Sequence, residues 1–128
     1  MSELFSYGKI TEEIINELKE KIGAANVCAD EEKLESYSHD EVPESAYEKK
    51  YIASLLLFPE STEAVSEIMK TATAYRLPVT PRGAGTGLSG GALPVFGGLV
   101  MSFEKMNHIL EVDEKNLTIT TEPGVVTA

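Results

Sequence analysis

The segment Pro81-Arg82-Gly83-Ala84-Gly85-Thr86-Gly87-Leu88-Ser89-Gly90-Gly91 places five glycines in eleven residues, directly after the apolar run Leu77-Pro78-Val79. Ordered glycine costs folding entropy, so a cluster at the end of a strand marks backbone that a Cβ would obstruct. Consecutive unsubstituted amides can point their N–H groups into one concavity, which suits a phosphate or diphosphate. The interleaved Arg82, Thr86 and Leu88 are foreign to a flexible Gly/Ser linker. The segment therefore reads as a dinucleotide-binding loop that follows a strand.

Charge patterning agrees. The 128 residues carry 21 acids against 11 lysines and arginines, a net charge of -10. Yet no Asp or Glu stands in the 36 residues from Ile68 to Phe103, while Lys70, Arg76 and Arg82 do. Buried strands and glycine loops account for part of that gap. The rest is what an acidic protein needs where it holds a diphosphate, a region whose field does not repel the ligand. The same acidity argues against nucleic acid and anionic lipid as partners.

A hydrophobic content of 42% supplies a core for one domain. The single Cys28 cannot form an internal disulfide and reads as a small buried hydrophobe, which fits a cytoplasmic setting. No run approaches the roughly 18 apolar residues of a membrane span. After Glu122 the sequence Pro123-Gly124-Val125-Val126-Thr127-Ala128 resembles no finished helix or tail, so the expectation is the front part of a longer protein.

Thr11 is placed to cap a helix through Ile14, Ile15, Leu18 and Ile22, with Gly23 as its stop. Ala25–Ala29 reads as a short strand and Glu31–Tyr37 as a helical turn. Ile52–Phe58 is nearly continuously apolar, as in a strand covered on both faces. Ser61 or Thr62 caps a helix whose Ala64, Val65, Ile68, Met69, Ala72 and Tyr75 form one apolar stripe, and Arg76 closes it. Leu77–Thr80 returns as a strand, giving a strand–helix–strand unit with a right-handed crossover and a parallel pair. Gly98–Phe103 reads as a further strand, and Ile109–Val112 pairs with Leu117–Glu122 around the polar turn Asp113–Asn116.

Gly85-Thr86-Gly87-Leu88-Ser89-Gly90 fits the pattern G-x-G-x-x-G, but a nicotinamide-binding Rossmann loop requires a helix to open inside the motif. Here Gly91-Ala92-Leu93-Pro94-Val95-Phe96-Gly97-Gly98 follows, with no helical period, and the next acid is Glu104. A Walker loop fails for want of Gly-Lys-Ser/Thr.

The order of strand, proline, Arg-Gly-Ala-Gly-Thr-Gly and strand resembles the FAD-binding domain of the vanillyl-alcohol oxidase and p-cresol methylhydroxylase (PCMH-type) family. The likeness extends to Phe58-Pro59-Glu60-Ser61-Thr62-Glu63-Ala64-Val65, Met106-Asn107-His108-Ile109-Leu110-Glu111-Val112-Asp113 and Glu122-Pro123-Gly124-Val125. The wording is nearest to the branch of glycolate oxidases, D-lactate dehydrogenases and D-2-hydroxyglutarate dehydrogenases.

The resemblance implies an α+β PCMH-type fold, with a small parallel strand–helix–strand subdomain followed by the start of a second, mainly antiparallel sheet. Residues 1–33 are then an N-terminal helical segment and 34–128 the first part of the FAD-binding domain. It implies FAD held at Pro81, Arg82, Gly83, Ala84, Gly85, Thr86, Gly87, Leu88, Ser89, Gly90 and Gly91, with Pro123 and Gly124 as further contacts. Some relatives tether the flavin to a histidine in this loop; this loop has none, so noncovalent FAD is expected. The implied activity is oxidation of a 2-hydroxy acid of the D-lactate or glycolate type, with hydride passing to flavin N5. Electrons then leave to a separate acceptor: a quinone, a cytochrome, an electron-transfer flavoprotein or an iron–sulfur protein. Tyr37, His39 and His108 read as ordinary core, surface or cap residues, no residue is named as catalytic, and no metal set is present. The alternatives are a same-fold NADPH-dependent flavin reductase, a Rossmann nicotinamide-binding domain, and a non-enzymatic interaction domain.

Overall fold

The computed structural model describes residues 7–37, 54–83 and 97–126. Helix α1 (Glu12–Ile22) starts where the Thr11 side chain accepts the Ile14 N–H, and ends at Gly23, whose φ of 94° suits a residue without Cβ. A short 3-10 turn (Ala24–Asn26) occupies the first part of the expected strand and leaves only β1 (Val27–Cys28). Helix α2 (Glu31–Ser36) is capped by Asp30. Strand β2 (Leu55–Leu57) leads to α3 (Thr62–Tyr75), where Ser61 accepts the Ala64 N–H and Arg76 closes the helix in the left-handed conformation.

Strands β3 (Val79–Arg82) and β4 (Leu99–Ser102) complete the first sheet, whose order is β1-β2-β4-β3. Strands β2 and β3 are parallel, as expected of the strand–helix–strand unit, but they are not neighbours. Strand β4 lies between them and pairs in parallel with both. The physical reason is burial: all four residues of β4 are buried, which demands the central position, whereas β3 carries Pro81 and tolerates the edge. Strand β1 joins β2 antiparallel.

The apolar run of β2 is buried on both faces. Leu55 and Leu57 meet Ile14, Leu18, Ile68 and Leu99 beneath α1 and α3, while Leu56 turns to Val100, Phe58 and Leu34 beneath α2. The α3 stripe packs as expected except at one position. Met69 stays 43% exposed, and Thr71 is buried instead, receiving the Lys21 ammonium at 3.0 Å. Cys28 is half-buried beside the second cluster.

A separate antiparallel ribbon follows, β5 (Ile109–Asp113) and β6 (Thr118–Thr121). Asp113 closes its turn by accepting both the backbone and side-chain N–H groups of Asn116. No helix among the described residues is long and apolar enough to cross a membrane.

Candidate functional site

The parallel strands β2, β3 and β4 direct their carboxyl ends to one edge of the sheet, where ligands of open α/β sheets bind. Strand β3 ends there on Arg82, opposite Ser102 of β4, and the Phe103 N–H donates to the Arg82 carbonyl at 3.0 Å. The glycine-rich segment leaves from this point. Of the expected cofactor contacts, Pro81, Arg82, Gly83, Pro123 and Gly124 are described. Ala84, Gly85, Thr86, Gly87, Leu88, Ser89, Gly90 and Gly91 lie outside the described residues, as does His39.

The structure brings the two ends of this set together. A Cβ added to Gly83 would stand 4.0 Å from the Pro123 carbonyl oxygen, although the two residues are forty apart in sequence. The approach is built by the turn after β4. Met106 N–H donates to Phe103 O, and Gly124 N–H donates to Met106 O at 2.8 Å, which seats the base of the β5–β6 ribbon on that turn. Gly124 is here because of packing: a Cβ would fall 1.8 Å from Phe103 O and 2.8 Å from Met106 O.

Gly83 differs. It is exposed, its φ lies outside the left-handed region, and among the described residues nothing crowds the position of a Cβ. Neither backbone conformation nor packing within the described chain requires glycine there. That free space at the mouth of the loop fits a diphosphate, as does the half-buried Arg82 beside it.

Tyr37, which reads from sequence as an ordinary residue, and Glu104 both stand at this edge. The Tyr37 hydroxyl donates to Glu104 Oε1 at 2.5 Å, and the Ser102 hydroxyl donates to the same oxygen at 3.1 Å. The Arg82 guanidinium lies 5.6 Å from the centre of the Tyr37 ring, and Phe58 meets that ring edge-on at 5.7 Å. The hydrogen bond to Glu104, helped by burial, pushes the Tyr37 phenol up to about 12. An open cavity of about 240 Å³ lies among Ser36, Tyr37, Arg82, Gly83 and Glu104. Lys33 and Lys105 flank Phe58 at 5.7 and 5.6 Å. Tyr37 and Glu104 are 67 residues apart, and the one signal in the sequence was that Glu104 ends the acid-free stretch.

Glu122 ties the ribbon base a second time. Its carboxylate accepts the backbone N–H of His108 and meets the His108 ring Nδ1. Those bonds hold the Glu122 carboxyl below its ordinary value. A lowered carboxyl contributes stability above the ordinary glutamate range and loses it as pH falls through the lowered value. Glu122→Gln should therefore flatten the fall of the thermal midpoint between about pH 5 and pH 3. An unchanged acid limb in that variant would assign the pH dependence to other carboxyls.

Known proteins share both the sequence and the fold. A family model described as an FAD binding domain matches residues 53–128. The chain is 44% identical over 91 residues, 71% of its length, to glycolate oxidase subunit GlcD of Bacillus subtilis (strain 168). It is 39% identical over 126 residues, 98% of its length, to the D-lactate dehydrogenase of Anaerostipes hadrus. It spans 18% and 26% of those two proteins. The crystal structure of p-cresol methylhydroxylase with substrate bound superposes with a TM-score of 0.76 at 23% identity, covering 91% of this chain and 23% of that one, a likeness of fold.

Proposed function

The chain belongs to the FAD binding domain family, has its PCMH-type α+β fold and takes FAD as cofactor, and from that premise we propose that its described carboxyl edge receives the FAD diphosphate within a 2-hydroxy-acid dehydrogenase. The observation that carries this reading is Gly83, a glycine that nothing in the described packing explains, at the exit of β3 beside Arg82.

The roles of this chain's residues follow from their chemistry. Pro81 lies on the edge strand β3, and Gly83 leaves room for the diphosphate to approach main-chain N–H groups. The segment from Gly83 to Gly91 would hold the diphosphate through its main-chain N–H groups, with Thr86 and Ser89 offering hydroxyls. Arg82 offsets the ligand's negative charge. Pro123, exposed beside Gly83, closes the mouth from the ribbon side. With no histidine in the loop, the cofactor is held without a covalent tether.

Bound FAD supplies the acceptor for hydride from the α-carbon of a 2-hydroxy acid of the D-lactate or glycolate type. The electrons then leave to a separate acceptor. The names of the relatives support this substrate class. The test is the visible spectrum of the purified full-length protein, followed by anaerobic addition of D-lactate, glycolate and D-2-hydroxyglutarate in turn. Flavin bands that one of these acids bleaches are the expected result. Flavin bands that none of them bleaches would overturn the substrate class and leave the cofactor standing.

A further inference from the structure

We propose that Glu104 and Tyr37 are a positioning pair that fixes Arg82 at the mouth of the FAD diphosphate loop. The inference rests on the reading that the diphosphate sits there and assigns work to two residues outside the loop.

Glu104 presents a chemical problem. A carboxylate beside a diphosphate site repels the ligand, and the 36 residues before it are free of acids. Its geometry answers the problem. Both hydrogen bonds to Oε1 come from neutral hydroxyls, Tyr37 at the end of α2 and Ser102 of β4, so the carboxylate serves to tie two elements together. The Glu104 backbone N–H also reaches Ser102 Oγ at 3.5 Å. Ser102 is fully buried and is the register partner of Arg82. The tie is therefore anchored in the strand that borders the loop exit.

Tyr37 carries the tie to Arg82. Its ring is set at 89° against buried Phe58 and presents its face to the guanidinium. With its phenol pushed up to about 12, Tyr37 remains a donor across the physiological range. The hydrogen bond to Glu104 adds to the Phe58 contact in holding that face beside the Arg82 guanidinium. Positive charge that is already in place when the ligand arrives binds it more tightly than charge that must be ordered.

The test uses the full-length protein stripped of FAD and reconstituted, with Kd read from quenching of flavin fluorescence. Tyr37→Phe keeps the ring and removes the hydroxyl; Glu104→Ala removes the acceptor; Glu104→Gln keeps an acceptor oxygen and removes the charge. Tyr37→Phe and Glu104→Ala should each raise Kd about 5- to 10-fold, the size of one hydrogen bond to a charged group on a partly exposed pair. The double variant should be no weaker than the weaker single, because both act on one contact. Glu104→Gln should bind within about twofold of wild type and restore the visible circular dichroism of bound flavin that Glu104→Ala alters. Should Glu104→Ala fail to fold, Tyr37→Phe and Glu104→Gln decide the matter. Wild-type affinity in Tyr37→Phe, losses that multiply in the double variant, or a Gln variant as weak as Ala each overturn the pair. Wild-type protein that takes up no FAD overturns the cofactor site and the pair together, whereas uptake unaffected by these substitutions overturns the pair alone.

Discussion

Gly124→Ala should cost the full-length protein about 3 kcal/mol or more of stability, read as a lower urea midpoint and a lower thermal midpoint. The added Cβ would stand 1.8 Å from Phe103 O, 2.7 Å from Phe103 C and 2.8 Å from Met106 O. All three are backbone atoms of the turn that follows β4, so no side-chain rotation relieves the clash. The turn must shift or the ribbon must lift, and either movement breaks the 2.8 Å bond from Gly124 N–H to Met106 O. The Met106 side chain, 5% exposed, would lose its packing as well. A Gly124→Ala protein within about 0.5 kcal/mol of wild type would mean that the ribbon does not depend on this close approach.

Gly83→Val should do the opposite, leaving stability within about 0.5 kcal/mol and removing the cofactor. The backbone of Gly83 lies outside the left-handed region, and its nearest neighbour among the described residues, Pro123 O, is 4.0 Å from the Cβ position. A β-branched residue suits the end of a strand, and nothing among the described residues resists it. The same branch would fill the space through which a diphosphate meets the main chain. Overpacking of about 2 to 3 kcal/mol there corresponds to a roughly 30- to 100-fold weaker FAD Kd. Flavin retention at the wild-type level in a folded Gly83→Val protein would move the diphosphate away from this edge. Together, the two substitutions separate a glycine that serves the fold from one that serves the ligand.

How much of this was visible in the amino-acid order depends on distance along the chain. Helix starts at Thr11 and at Ser61 or Thr62 were legible because a cap and its N–H partner lie three residues apart, and the structure selects Ser61. The doubly buried β2 was legible in the apolar run Leu55-Leu56-Leu57, and the ribbon in the polar turn between two strands. The placement of β4 between β2 and β3 was not, since strand order depends on which strand loses most by facing water. Leu99, Val100, Met101 and Ser102, all buried, decided that. Met69 illustrates the same limit: the helical period assigned it to the core, but the partners α1 and the sheet offer cover only to a narrower face.

At the candidate site the division is sharper. The order of residues was enough to establish that a strand runs into a glycine-rich segment poor in acids, because glycine content, charge and apolar runs are properties of neighbours along the chain. Folding had to bring Pro123 beside Gly83, seat Gly124 against Phe103 and Met106, and carry Tyr37 to Glu104 across 67 residues. Such contacts have no local signature. Their partners meet only once the parallel strands have fixed where each loop emerges, and the energies that select that arrangement belong to the packed core as a whole.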